Sequence, residues 1–333
     1  MSKKILILWY TINDNFGDVL LFHTEKKWFE ERGYSVDFEE VGKHCDYLLP
    51  KANKYDFLLF AGGGIIERHV PNVIRYFKED LHMLKVPYGV MGLSVGEFFH
   101  KEHIETLKCF AENAVFFYTR DEYTATYFNT LCQRNIAKYS ADVVFSYYGF
   151  NKYKTHIPTM YGINIRNVPY PDLSGDLDWK LVDDIVMQEN ISLLIPDESE
   201  VHKCLDSIKI SNQIYENYKA LSAIDKAELT LNEISKCEIV IAMRFHVVLS
   251  AAMIENIIPI PITYCPKVDR LSEQLGISEL ALNINELHKL PEILSYTKNN
   301  KNEILRTIRK NVIRMKARAD KMFYEIETIM KEY

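Results

Sequence analysis

Short apolar runs recur along the first half of the chain, and amphipathic stretches with helical spacing separate them. The runs occupy residues 4–10, 34–41, 55–60, 87–93, 115–119 and 137–145. Strands that are apolar on both faces and alternate with helices are typical of a parallel sheet that is covered on both sides. The pattern therefore predicts a doubly wound α/β unit over residues 1–150.

A second series of the same kind begins after residue 158. Strands are predicted at residues 160–164, 191–195, 239–242 and 257–262. The polar and aromatic segment at residues 147–158 is typical of a crossover between domains. We therefore predict a second α/β unit over residues 151–298, with a ligand bound in the cleft between the two units.

The tail over residues 299–333 has a single amphipathic pattern. Apolar residues recur at helical spacing over about seven turns: Ile304, Ile308, Val312, Met315, Met322, Ile326 and Ile329. Basic residues crowd the same stretch: Arg306, Arg309, Lys310, Arg314, Lys316, Arg318 and Lys321. The pattern predicts a long amphipathic helix that docks across both domains. It is also compatible with contact between the basic face and an anionic membrane.

Composition and charge narrow the class of protein. The chain has 333 residues, 47% of them hydrophobic, and a net charge of −6, which disfavours a general nucleic-acid binder. No apolar run reaches the roughly 18 residues of a membrane span, and the run after Lys4 is too short for a signal peptide. The six cysteines show no metal-ligand spacing, so we expect reduced thiols in a cytoplasmic protein and no metal.

The clearest candidate chemistry lies between residues 237 and 267. Arg244 and His246 follow the apolar strand at 239–242 and precede an apolar helix at 247–254. Open α/β sheets bind ligands at this edge, and a helix N-terminus attracts an anion. Arginine keeps its charge and binds carboxylate or phosphate with a planar fork, and histidine titrates near neutral pH. The pair predicts a site for a small anionic substrate with proton transfer, although a structural ion pair and a structural histidine are equally compatible with the pattern.

Glycine and polar residues also follow three strands of the first unit. Gly17 permits close approach of the backbone to a ligand, and Asn15 and Asp18 can cap the helix that follows. Gly62-Gly63-Gly64 and Ser94 lie at the ends of the third and fourth strands. The glycines lack the dinucleotide-binding spacing and a following acidic residue, which disfavours a nicotinamide cofactor.

Several of these pieces resemble the motifs of the polysaccharide pyruvyl transferases. They are Asn15-Phe16-Gly17-Asp18, Gly62-Gly63-Gly64, Gly92-Leu93-Ser94-Val95-Gly96, Arg120-Asp121, Ala141-Asp142, Met243-Arg244-Phe245-His246 and Tyr264-Cys265-Pro266-Lys267. They occur in the family's order and cover roughly residues 4–270. The resemblance implies a GT-B architecture of two facing doubly wound Rossmann-like domains, with the acceptor on the first domain and phosphoenolpyruvate on the second.

The resemblance also implies an activity. Members of that family move the carboxyvinyl group of phosphoenolpyruvate onto two hydroxyls of a sugar, form a cyclic ketal and release phosphate, as a step in making exopolysaccharide, capsule or other cell-surface polysaccharides. We expect no cofactor. The expected catalytic residues are His246 as general acid, Arg244 as stabiliser of the anion and Asp18 as base. The expected substrate-binding residues are Asn15, Gly17, Gly63, Gly64, Ser94, Arg120, Phe245 and Lys267.

Two other functions are compatible with the same residues. One is a GT-B glycosyltransferase that uses a nucleotide sugar, and the other is a non-catalytic binding protein in polysaccharide assembly. The acceptor of a pyruvyl transferase would be a lipid-linked oligosaccharide, a repeat unit or a free glycan. The basic tail makes a membrane-bound acceptor reasonable, reached by a protein that contacts the inner face of the membrane peripherally.

Overall fold

The computed structural model describes residues 2–9, 15–66, 70–96, 103–153, 160–165, 179–191, 193–196, 218 and 220–333. Contacts divide the chain into two compact units. The first unit comprises Met1–Ile12, Leu20–Tyr147 and Met315–Tyr333, and the second comprises Asn13–Val19 and Tyr148–Arg314. The domain limits inferred above, at residues 150 and 298, stay predictions. Tyr10 and the first residues of the polar turn that follows lie outside the described residues.

A parallel sheet forms the centre of the first unit. Its strands are β1 (Lys4–Trp9), β2 (Ser35–Glu40), β3 (Phe57–Phe60), β4 (Gly63–Ile66), β5 (Tyr88–Val95), β6 (Phe117–Thr119) and β7 (Ala137–Tyr139). They are ordered β2-β1-β3-β5-β6-β7, with β4 also paired to β5. The central strands β3 and β5 are buried along their whole length, as the continuous apolar runs predict.

Helices follow these strands. They are α1 (Phe16–Glu30), α2 (Cys45–Ala52), α3 (Asn72–Arg75), α4 (Phe77–Asp80), α5 (Ile104–Glu112) and α6 (Glu122–Cys132). Asn15 accepts a hydrogen bond from the Gly17 amide at the start of α1 (3.0 Å). Gly33, at φ +84°, lies in the turn that follows α1. Asp121 caps α6 by accepting from the Thr124 amide (2.8 Å), as its position in the sequence predicts.

One local prediction in the first unit was wrong. The strand inferred at residues 137–145 ends at Tyr139, and Val143–Ser146 forms a 3-10 turn instead. The turn forms because the Asp142 side chain accepts a hydrogen bond from the Val144 amide (3.0 Å), a local bond that competes with strand pairing. Gly63 and Gly64, which follow β3 as predicted, begin the short strand β4.

The second unit contains a smaller parallel sheet. Its strands are β8 (Met160–Asn164), β9 (Leu193–Leu194), β10 (Cys237–Ala242), β11 (Ile258–Thr263) and β12 (Leu282–Asn283), in the order β12-β11-β10-β8-β9. Its helices are α7 (Trp179–Gln188), α8 (Ala223–Ser235), α9 (Phe245–Met253), α10 (Pro266–Leu275) and α11 (Leu290–Asn299). Alternate residues of β10 and β11, such as Ile241 and Ile260, belong to one apolar core.

A long C-terminal helix, α12 (Lys301–Glu332), completes the fold and confirms that the tail forms a long helix. Its residues up to Arg314 belong to the second unit and those from Met315 onward belong to the first. In the first unit the ring of Phe323 stacks on Trp28 with 4.8 Å between ring centroids. Among the residues described, no helix has the length and apolar character needed to cross a membrane.

Candidate functional site

Arg244 and His246 lie where the sequence predicts them, between the end of β10 and the first turn of α9. Arg244 is the N-cap residue of α9 in extended conformation, and its carbonyl accepts hydrogen bonds from the Val247 and Val248 amides (3.0 Å each). Phe245 is buried, whereas Arg244 and His246 are half-buried. The Phe245 ring meets the His246 imidazole edge-on, 5.0 Å away between centroids, which limits the movement of the imidazole.

Asn164 fixes the backbone of this turn and was missed in the sequence. It ends β8, pairs in register with Ala242 and is 1% exposed. Its side-chain oxygen accepts from the Arg244 amide (3.2 Å), and its carbonyl accepts from the Met243 amide (2.9 Å). The sequence feature that could have identified Asn164 is a side-chain amide at the end of a predicted buried strand.

Lys267 lies at the same edge of the second sheet. It is half-buried in the first turn of α10, which follows β11. Because β10 and β11 are parallel neighbours, with Ala242 opposite Pro261, both strands end at one edge. Three cationic or titratable side chains and the first turns of two helices therefore share this edge, an arrangement that favours an anion.

Gly17 brings a motif from the start of the chain into contact with His246. The segment that contains Asn15, Gly17 and Asp18 belongs by its contacts to the second unit. A Cβ atom on Gly17 would lie 1.9 Å from Nδ1 of His246 and 2.6 Å from its Cγ. The backbone thus passes directly against the imidazole, at a distance that only glycine permits. Asp18 follows in the first turn of α1.

Two other predicted site residues, Ser94 and Arg120, lie in a buried polar network of the first unit. The Ser94 hydroxyl donates to Asp121 (2.7 Å), and Ser94 is 2% exposed. Arg120 forms a salt bridge with Asp142 (3.2 Å), and both side chains are nearly inaccessible to solvent. These contacts give both residues a structural role at the ends of β5 and β6, and their predicted contact with substrate stays a prediction. Contact of Gly63 and Gly64 with substrate also stays a prediction. Gly63 has a φ of +103°, which favours glycine at that position.

Glu25 is a buried carboxyl group that sequence reasoning missed. It is 0% exposed and accepts a hydrogen bond from the Gly62 amide (3.2 Å). Burial raises the pKa of Glu25 to about 8, and the negative charge of Asp142 acts in the same direction. Glu25 lies four residues from Leu21 and four from Phe29, which are both buried on α1. This helical spacing could have predicted from the sequence that Glu25 is buried.

Comparison with known proteins adds a family and a fold. A model of the family described as polysaccharide pyruvyl transferase matches residues 15–255, well over half of the chain. That span contains every candidate site residue except Lys267. A search of curated proteins finds no match.

Solved structures resemble the whole chain at low sequence identity. A UDP-forming α,α-trehalose-phosphate synthase from Burkholderia xenovorans is 9% identical, with 99% of each chain covered and a TM-score of 0.56. An α-glucosyltransferase in complex with UDP and DNA is 12% identical, with 99% of this chain and 100% of that chain covered and a TM-score of 0.53. An uncharacterised protein from Klebsiella pneumoniae is 15% identical over 84% of this chain and 90% of its own, with a TM-score of 0.49. The first two likenesses confirm a GT-B-like fold.

Proposed function

The chain belongs to the polysaccharide pyruvyl transferase family, and from that premise we propose that it transfers the carboxyvinyl group of phosphoenolpyruvate to two hydroxyls of a sugar in a cell-surface polysaccharide. The products are a cyclic pyruvate ketal and phosphate. The observation that carries the proposal is the grouping of Arg244, His246 and Lys267 at one edge of the second sheet.

That grouping suits the charge of phosphoenolpyruvate. The substrate carries a carboxylate and a phosphate, and both must be held in a site that is partly removed from water. The Arg244 guanidinium offers a fork that matches either group, and Lys267 adds a second positive charge. The amides in the first turns of α9 and α10 supply further donors for an anion.

The reaction moves two protons in net terms, from the two sugar hydroxyls to the methylene carbon and to phosphate. A proton is added to the methylene carbon, which becomes a methyl group, and the adjacent carbon takes on oxocarbenium character. One sugar hydroxyl attacks that carbon and loses its proton. The second hydroxyl then forms the other C–O bond as the bond to phosphate breaks. Each hydroxyl loses one proton. These two protons equal in number the one added to the methylene carbon and the one that phosphate takes up on leaving.

We assign the acid role to His246 and the charge-stabilising role to Arg244. Asp18 is the proposed base for the sugar hydroxyl. Its support is the contact of the preceding residue, Gly17, with the His246 imidazole, which brings the Asn15–Asp18 segment to the histidine. Binding of substrate by Asn15, Phe245, Ser94 and Arg120 belongs to the same proposal.

Thermal-shift binding tests the donor. Phosphoenolpyruvate at about 100 times its Kd should stabilise the protein by about 2.7 kcal/mol and raise Tm by several degrees. Arg244→Ala should abolish the rise, and Arg134→Ala, which removes an exposed arginine from the first unit, should keep it. UDP, CDP and GDP should have no effect. Stabilisation by a nucleotide without stabilisation by phosphoenolpyruvate would overturn the proposal in favour of a glycosyltransferase.

Gly17→Ala should reduce transfer without unfolding the protein. The added methyl group cannot share space with the His246 ring, so the imidazole must rotate away. A misplacement of about 1 Å at a catalytic group costs on the order of 100-fold in rate. Displacing the ring costs roughly 1–3 kcal/mol, and the higher helix propensity of alanine offsets up to about 1 kcal/mol of that cost, so the protein should stay folded. The measurement is phosphate release from phosphoenolpyruvate with acceptor present, beside Tm.

Gly42→Ala is the matched control, because a Cβ atom added to Gly42 would have no heavy atom of the described chain within 4 Å beyond those of Gly42 and its two neighbours. It should leave phosphate release unchanged. If Gly17→Ala also retains the full rate, the position of the imidazole does not matter for the reaction, and the role of His246 must be reassigned.

A further inference from the structure

One exposed face of α12 concentrates positive charge. Arg306, Arg309, Lys310, Ile313 and Arg314 are spaced i, i+3, i+4, i+7 and i+8, so their side chains share one face of the helix. All five residues are exposed. We call this set the cationic face.

The basic residues of the cationic face differ from the other lysines of the helix in having no acidic partner in the part of the chain that the structure describes. Among the described residues, no ion pair involves Arg306, Arg309 or Lys310, and Arg314 donates only a long hydrogen bond to the Gln274 carbonyl (3.4 Å). The lysines outside the face are compensated by acidic residues. Those pairs are Lys301–Glu238 (2.6 Å), Lys316–Asp320 (3.2 Å), Lys321–Glu325 (3.6 Å) and Lys331–Glu327 (2.7 Å). Among the described residues of α12, the basic side chains without an acidic partner are therefore those of the cationic face and Arg318, whose guanidinium lies over the Tyr139 ring instead (4.5 Å to the ring centroid).

Ile313 lies among these cations and is 62% exposed. The apolar residues that hold the helix in place, such as Ile304, Ile308 and Met315, are buried on the opposite stripe. A lone exposed isoleucine is ordinary on a protein surface. Here, however, it is surrounded by cations that lack acidic partners, which is the combination used by helices that lie in a membrane interface.

We propose that the cationic face binds the surface of an anionic phospholipid bilayer. Arg306, Arg309, Lys310 and Arg314 would contact lipid phosphates, and Ile313 would enter the boundary between headgroups and acyl chains. A nucleic acid would match the charges equally well but offers no apolar layer for Ile313. The binding itself is independent of the reaction. Only its consequence, that the sugar acceptor is lipid-linked, rests on the proposed function.

Vesicle sedimentation of the full-length protein tests the proposal. Binding is expected to vesicles that contain about 30% phosphatidylglycerol, to weaken with added salt, and to be absent with pure phosphatidylcholine. Arg306→Gln, Arg309→Gln and Lys310→Gln together should weaken partitioning about 100-fold, since each basic residue near an anionic surface contributes about 5-fold. A control variant combines Lys316→Gln, Lys321→Gln and Lys331→Gln. It changes the net charge by the same amount but removes only lysines that have acidic partners, so it should weaken partitioning much less.

The outcomes separate the alternatives. Absence of binding to anionic vesicles, or equal weakening in both triple variants, would overturn the proposal. Tighter binding to duplex DNA than to vesicles would assign the face to a nucleic acid instead. Ile313→Ser should weaken vesicle binding several-fold without changing its dependence on salt. Pyruvyl transfer to a soluble acceptor should be unchanged in the variant that lacks Arg306, Arg309 and Lys310. Loss of that transfer would contradict the proposed function and would leave the membrane-binding proposal unaffected.

Discussion

Replacing His246 by alanine is expected to slow pyruvyl transfer by about 10² to 10⁴, the usual contribution of a positioned general acid or base. The imidazole contacts the Phe245 ring and lies directly against the Gly17 backbone, so its position is restricted. The expected loss is in kcat, because the anion should still be bound by Arg244 and Lys267. Stabilisation by phosphoenolpyruvate should therefore survive in His246→Ala and be lost in Arg244→Ala.

The measurement is phosphate release from phosphoenolpyruvate as a function of substrate concentration, with thermal-shift binding alongside. His288→Ala is the control, because it removes an exposed histidine from the same unit. A His246→Ala protein with an unchanged kcat would exclude the histidine from the chemistry. A variant that loses binding and turnover together would make His246 a substrate ligand and not the acid.

The second large effect is on stability. Glu25→Gln is expected to stabilise the protein by roughly 3 kcal/mol at pH 7. The carboxyl has a pKa of about 8 in the folded protein, against a reference value of 4.5. At pH 7 the folded state therefore keeps the proton, whereas the unfolded state has lost it. Because pH 7 lies roughly 2.5 units above the reference pKa, and each unit favours the unfolded state by about 1.4 kcal/mol, ionisation destabilises the native protein by roughly 3 kcal/mol. Glutamine has a similar shape, keeps an oxygen for the Gly62 amide and has no proton to release.

The sign of this effect fixes its pH dependence. From about pH 4.5 to pH 8 the unfolded state binds fewer protons than the folded state, so the stability of the native sequence should fall as pH rises. Below pH 4.5 both states hold the proton, and the two proteins should be equally stable. Denaturant unfolding across pH 4 to 8.5 measures the slope. The exposed Glu112→Gln should leave the slope intact, and persistence of the slope in Glu25→Gln would assign it to another buried group.

Much of the fold could be predicted because burial on both faces leaves a direct mark on a strand. The runs that became β1, β3, β5, β10 and β11 have too few polar residues to face water. The position of Arg244 and His246 followed from the same logic, since a charged residue directly after a buried strand must lie at the edge of the sheet. The GT-B-like fold, by contrast, was inferred from the resemblance.

The remaining features depend on contacts between residues far apart in the chain. Nothing local to Gly17 indicates that its backbone meets a histidine more than two hundred residues later. In the sequence, Asn164 is indistinguishable from any other strand end. Its role depends on the pairing of β8 with β10, which only the structure shows. The pairing of Arg120 with Asp142 could not be predicted either, because periodicity contains no information about which charges become buried together.

The division of the first unit between the two ends of the chain has a consequence for synthesis in the cell. Residues 315–333 leave the ribosome only after all of residues 148–314, yet Phe323, Ile326 and Met330 are fully buried in the first unit. At about 5–20 residues per second, the partner surface that includes Trp28 stays exposed for on the order of 10–40 seconds. The nascent protein therefore has a defined interval of susceptibility to aggregation, during which a chaperone that shields apolar surface would raise its yield.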